Sequence, residues 1–288
     1  MMNVKYYTLN IFSDDLNGGN KAGIVLGAND LDKNKKQEMA KKLNFDDITF
    51  ISKSNDADFK LEFFTPNNEL ELCGHGTIGS FYLMKEKNMI KEGTYKQETR
   101  SGILNVDVMD DIIYAQQSIP KIYGRVERFV ICEALNISKE DLMLDYPIRT
   151  VSTGLKHIII PVKDLDTLNK IEPDFEKIKS ISRRYDVVGF HLFALETNNP
   201  KNTISVRNFA PRYEINEKSA TGTSNGALAT YLHHYNLLKD YSNIKIEQGY
   251  KLNKPSLINV KLEIEDEEVV SVKVGGNAYN VEEHSIEL

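Results

Sequence analysis

Two cysteines in 288 residues are too few for a disulfide framework, and Cys73 and Cys132 do not make a four-ligand metal site. Long apolar runs are missing as well: no stretch approaches the roughly 20 residues of a membrane-spanning helix. The opening VKYYTLNIFSDD lacks the basic head and sustained apolar core of a signal peptide. Basic residues are outnumbered, 36 Lys+Arg against 42 Asp+Glu, giving a net charge of −6 and a pI near 5.6. With no block of basic residues interleaved with aromatics, that balance argues against nucleic acid or an anionic membrane as a partner. The GK[ST] ending of a phosphate-binding loop is not found. A reduced, cytoplasmic setting is expected.

What is present is an ordinary globular composition, 41% hydrophobic and 27% charged, without low-complexity or linker-like runs. VKYYTLNIF and AGIVLG read as strands around the turn DDLNGGNK. DKNKKQEMAKKLN reads as a polar helix, DITFIS and FKLEFFTP as strands, and Thr77 to Lys87 as a helix. ILNVDVMDDIIYAQQS reads as a hairpin turning at Asp110 and Asp111. Beyond SIPKIYG the pattern restarts, with VERFVICEALNI amphipathic and Cys132 on its apolar face as a small buried hydrophobe. HIIIPV, VVGFHLFALE and TISVRNFAP are strands, LDTLNKI and FEKIKSISRRY helices, and TSNGALATYLHHYNLL the strongest helix of this half. The expected division is an N-terminal half, 1–120, completed by the C-terminal strand 270–288, and a second half, 121–269.

Two segments run through the same order of elements. LEFFTPNNELELCGHGTIGSFYLM and VRNFAPRYEINEKSATGTSNGALATYL each go from strand to Pro, acidic turn, Gly-containing junction and helix. Superposing them sets Cys73 over Thr221, Gly74 over Gly222 and His75 over Thr223. The first N–H groups of a helix have no intrahelical partner and carry the positive end of its dipole. Glycine lets a ligand approach that backbone, so each junction is suited to a carboxylate or phosphate. If the halves face each other, both helix starts point into one cleft. The plainer alternative is that the glycines only tighten helix-on-strand packing.

These segments, with GGNKAGIVL, NFDDITFI, ELCGHGTIG and EQGYKLNKPSLINV, resemble the PhzF-like phenazine-biosynthesis proteins, relatives of diaminopimelate epimerase, over nearly the whole chain. The resemblance implies an α/β (α+β) fold of two pseudo-symmetric halves, each a β-barrel-like sheet wrapped around a central helix. It also implies a homodimer, no metal or organic cofactor, and an isomerase moving a proton at a carbon beside the carboxylate of a small organic or amino acid. Carried over by position, the acid/base residues are Asp47, His75 and Thr223. The substrate-binding residues are Asn20, Cys73, Gly74, Gly76, Lys218, Thr221 and Gly222. Cys73 and Thr221 stand where the epimerase branch has two catalytic cysteines, so a two-thiol mechanism is not expected.

This sequence departs from the family pattern. Lys218 replaces an Asp, Ser219 a Pro, and Asp47 a Glu longer by one methylene; Lys21 and Lys254 stand for a Pro and an Arg. Lys218 would pair a second anionic group, and the alternative outcome is a homologue that binds a small anion with weakened or no catalysis. From the helix dipole, His75 is expected to have a lowered pKa and to act as a neutral base, with Asp47 across the cleft as a second candidate. Asp46 is an alternative to Asp47, which could instead cap a turn. Cys73 would share the field and gain thiolate character, or serve as a small pocket wall. His233 and His234 read as a helix C-terminal or surface pair, and His157, His191 and His284 carry no motif.

Overall fold

The structure, a computed structural model, describes residues 2–13, 18–110 and 112–288. Residues 14–17 of the expected turn, and Asp111 of the expected hairpin turn, lie outside the described residues. The chain forms two compact units, Met1–Gln116 with Gly275–Leu288, and Gln117–Val274.

The first unit contains β1 (Asn3–Ile11), β2 (Asn20–Val25), α1 (Lys33–Leu43), β3 (Ile48–Ser52), β4 (Phe59–Phe64) and β5 (Glu69–Leu70). Then come α2 (Gly74–Glu86), β6 (Gly93–Thr99), β7 (Gly102–Val108) and β8 (Ile113–Gln116); the last strand of the chain, β18 (Ala278–Glu287), returns to it. β1 lies antiparallel between β18 and β2, and β2 is parallel to β3. β4 is antiparallel to β3 and β5 but parallel to β6, and β6, β7 and β8 form a meander. The sheet wraps α2, which buries Gly76 through Phe81 together with Leu83 and Met84. A helix apolar on most of its circumference has nowhere else to go. On the outer face α1 seals Met39 and Ala40 against Val25, Ile48, Phe50 and Phe64. Its start is fixed by Asp32, whose carboxylate accepts from Lys35 N at 2.9 Å, and its end by Asn44 in the left-handed region.

The second unit repeats the plan with β9 (Lys121–Arg125), α3 (Arg128–Leu135), β10 (Arg149–Ser152), β11 (Lys156–Pro161), α4 (Leu165–Lys170) and α5 (Phe175–Arg184). β12 (Gly189–Ala194), β13 (Ile204–Ala210), β14 (Ile215–Lys218), α6 (Gly222–His234), β15 (Ile244–Gln248), β16 (Ser256–Glu265) and β17 (Glu268–Gly276) follow. Again an antiparallel pair, β10–β11, leads into parallel β11–β12; β13 is antiparallel to β12 and β14 and parallel to β15. α6 is buried from Ser224 to Leu232, and α3, α4 and α5 close the outer core over Ile158, Ile160, Phe190 and Leu192. The two wrapped central helices are those the sequence pattern indicated, each 13 residues long. α2 begins at Gly74, a turn earlier than its apolar pattern.

Candidate active site

The first unit gathers three of the expected residues. Asp47 lies in the loop ahead of β3, Cys73 is the N-cap of α2, and His75 is in its first turn. His75 Nε2 and Asp47 Oδ2 are 2.8 Å apart. Cys73 Sγ donates to the same Oδ2 at 3.3 Å and lies 3.4 Å from His75 Nδ1. Asp47 is 3% exposed and Cys73 6%, so these groups meet in a nearly dry place. The sulfur also accepts from Gly76 N at 3.4 Å, a weak cap.

This contact corrects two expectations about charge and one about position. Burial alone would depress the His75 imidazolium, but the Asp47 charge, Cys73 and the hydrogen bonds to both raise its pKa well above the ordinary value. His75 is therefore a held imidazolium rather than a neutral base. Cys73 is raised too, first by burial and then by Asp47, against the opposing pull of His75 and the Gly76 N–H, so it stays a thiol instead of gaining thiolate character. Asp47 is the direct partner of His75, not a base standing apart from it.

The glycines divide by geometry. A Cβ on Gly76 would run into Thr49 Oγ1 and the Phe63 ring, so this glycine serves packing. A Cβ on Gly74 would meet nothing within 4 Å, and one on Gly222 only Val274 at an ordinary 3.6 Å. Packing demands a glycine at neither position.

In the second unit Thr221 is the N-cap of α6 but makes no side-chain cap hydrogen bond. Its hydroxyl is drawn aside: Thr221 Oγ1 donates to Gln248 Oε1 at 3.0 Å and accepts from Ser224 Oγ. Gln248 Oε1 also accepts from Thr221 N at 3.2 Å and Asn225 Nδ2 at 3.0 Å, and Gln248 Nε2 donates to the Lys218 carbonyl at 2.9 Å. Behind them Asn208 Nδ2 donates to His191 Nδ1 at 3.1 Å, so the proton on Nε2 points to Asn225 Oδ1, 3.0 Å away. Burial, reinforced by neighbouring His157, pushes His191 down to about 3, against the opposing hydrogen bond to Asn225; it is neutral in one tautomer. Thr223 lies half-buried in the first turn, its carbonyl accepting from Thr153 Oγ1 at 3.0 Å.

The sequence named these residues singly; the structure brings Asp47, Cys73 and His75 into contact at the start of α2 and sets Lys218, Thr221, Gly222 and Thr223 around the start of α6. Asn20 opens β2 opposite Ile11. Gln248, Asn225 and His191 were missed; Gln248 stood in a quoted motif without a role, and only its strand partner and helix neighbour reveal one. His233 and His234, in the last turn of α6, line a cavity of about 700 Å³ with Ile119, Ile122, Glu267 and Glu268. Of the described His, Cys, Asp and Glu residues, only Asp47, Cys73 and His75 converge as possible metal ligands.

The repeat is chemically unequal. Matching Pro66 to Pro211, with the β3–β4 and β12–β13 registers, pairs Thr49 with His191 and therefore Asp47 with Gly189. A Cβ there would overlap the Phe209 carbonyl, so the second unit has no room for the counterpart carboxylate.

A helix-wrapping sheet is thus present twice, with a buried Asp–His contact at one helix start and an amide-and-hydroxyl junction at the other. Residues 9–284 match the phenazine biosynthesis-like protein family, and the chain belongs to it. It is 35% identical over 286 residues, 94% of each chain, to an uncharacterised isomerase of Clostridium acetobutylicum. A trans-2,3-dihydro-3-hydroxyanthranilate isomerase of Pseudomonas fluorescens is 26% identical, over 94% of this chain and 95% of that one. The crystal structure of a Bacillus anthracis PhzF-family protein superposes over all of both chains with a TM-score of 0.90 at 28% identity. Its curated relatives place the chain among isomerases.

Proposed function

We propose that the enzyme shifts a proton at a carbon beside the carboxylate of a small organic or amino acid, with Asp47 and His75 as the acid–base pair. The observation that carries this reading is the 2.8 Å contact between a buried carboxylate and an imidazole held protonated. Asp47 takes the proton from the substrate carbon, and His75 supplies one at the same or an allylic carbon. The chemistry leaves Asp47 protonated and His75 neutral; transfer along their hydrogen bond restores the starting state. One proton leaves the substrate and one enters, so the step needs no electron acceptor. Cys73, kept as a thiol, lines the pocket and donates to the Asp47 carboxylate.

The uncapped first turn of α6, with Thr221, Gly222 and Thr223, is proposed to bind a small carboxylate. Its N–H groups suit that negative charge. Lys218 is proposed to favour acids with a second anionic group. The Pseudomonas relative's name specifies an anthranilate-type acid, which lies within this substrate class.

The test is a panel of amino, hydroxy, unsaturated and dicarboxylic acids in D₂O, with deuterium uptake beside the carboxylate followed by NMR. Exchange of at least one acid is expected without added metal, with Asp47→Asn and His75→Ala each slowed at least ~100-fold. Cys73→Ala should lose less than either. A dead Cys73→Ala beside an active His75→Ala would mean thiol chemistry, and binding of acids without exchange would mean an anion binder.

A further inference from the structure

We propose that Asp47, Cys73 and His75 also bind a borderline-soft divalent cation of the zinc type, and that its binding silences the enzyme. Coordination stands on the geometry alone; the silencing rests on the proton-shift reading above. The donors are a carboxylate Oδ2, a thiol Sγ and an imidazole Nε2, separated by 2.8 Å (O to N), 3.3 Å (S to O) and 3.7 Å (S to N). A tetrahedral zinc ion, with oxygen and nitrogen about 2.0 Å away and sulfur about 2.3 Å away, needs edges of roughly 3.3, 3.5 and 3.5 Å. Each observed edge is within about half an ångström of its target, a gap that small side-chain rotations close. Three protein ligands leave a fourth position for water or an anion, the pattern of an open site.

Charge supports the exchange. In the free form the Asp47 carboxylate, the His75 imidazolium and the Cys73 thiol sum to zero. With the thiol and imidazolium protons released to solvent, a dication, two anionic ligands and a neutral imidazole also sum to zero. A site whose His75 and Asp47 side chains are only 13% and 5% exposed could not take up a net charge cheaply. The positive end of the α2 dipole consequently favours neither form by net charge. The cavity beside His233 and His234 offers no comparable convergence of donors among the described residues. A metal held here would occupy both the carboxylate that accepts the substrate proton and the imidazole that returns one.

Cobalt(II) is the probe, since a cobalt–thiolate bond gives a near-ultraviolet charge-transfer band. Titrating the chelator-treated protein with Co²⁺ should produce that band with saturation at one equivalent, and Zn²⁺ should bleach it. Cys73→Ser should abolish the band and weaken binding at least ~10-fold, while Cys132→Ser keeps both. If Cys73→Ser fails to fold, His75→Gln serves in its place, with the same ~10-fold loss expected. A band that survives Cys73→Ser, vanishes in Cys132→Ser, or never forms in the wild type overturns the coordination. In the D₂O assay one equivalent of Zn²⁺ should stop exchange and a chelator restore it; stimulation by Zn²⁺ overturns the silencing. Metal binding as described in a protein that exchanges no acid would leave the coordination standing and remove the isomerase reading. Exchange without a Cys73-dependent band would do the reverse.

Discussion

At His75 two electrostatic effects oppose each other, and their magnitudes decide the charge. The start of a helix disfavours a cation by about 0.3–1 kcal/mol. A carboxylate 2.8 Å away, itself only 3% exposed, acts through little solvent and outweighs that. The dipole was visible in the sequence because His75 is two residues from the cap; the carboxylate was not, being 28 residues back and placed only by family resemblance. We therefore expect the His75 ring, followed by NMR, to titrate above its ordinary 6.5 and to fall when Asp47 becomes Asn. The sign for stability follows. A raised pKa contributes stability that is complete below 6.5 and disappears as the pH climbs through the raised folded-state value. A wild-type ring titrating below 6.5 would return His75 to the role of neutral base.

The elements that place these residues differ in how plainly the sequence declares them. α2 and α6 could be read directly, because a run such as GALATYL can be buried only as a central helix. β6 (GTYKQET) and β9 (KIYGR) could not, since they are largely polar and exposed and owe their conformation to pairing with neighbours. The start of α6 has its own device. Gln248 draws the Thr221 hydroxyl away from the helix and so keeps the first turn open to an anion. In Gln248→Leu that hydroxyl would be free to cap the helix, a gain of about 1 kcal/mol that a substrate carboxylate must displace. KM for the best acid of the D₂O panel should rise about fivefold with kcat little changed. Gln248→Glu keeps an acceptor for Thr221 and Asn225 but sets a negative charge beside the helix start, so its KM should rise as well. A loss of kcat at constant KM would assign Gln248 to the chemistry instead.

Across the whole molecule the duplicated plan has been specialised, and the specialisation sets opposite responses to acid. The first unit keeps its central histidine charged beside Asp47, whereas Gly189 denies the second unit a carboxylate at the matching place. The second unit instead buries two neutral histidines: desolvation carries His157 down to about 4, and His191 to about 3 with help from His157. Such groups contribute stability at a pH above 6.5 and withdraw it as the pH falls toward their folded values, because only the unfolded chain can take up the proton. At about pH 5 each should cost roughly 2 kcal/mol relative to about pH 8, whereas His75 costs nothing on the acid side. Hydrogen exchange, corrected for the intrinsic pH dependence, should then show protection falling on acidification in β11, β12 and the first turns of α6, with α2 and β3 unchanged or firmer. His157→Gln should remove about half of that loss, since one of the two buried bases is gone. The idea fails if α2 loosens first, or if His157→Gln leaves the acid response of β11 as it was. Either result would mean that the buried histidines of the second unit are already protonated in the folded state.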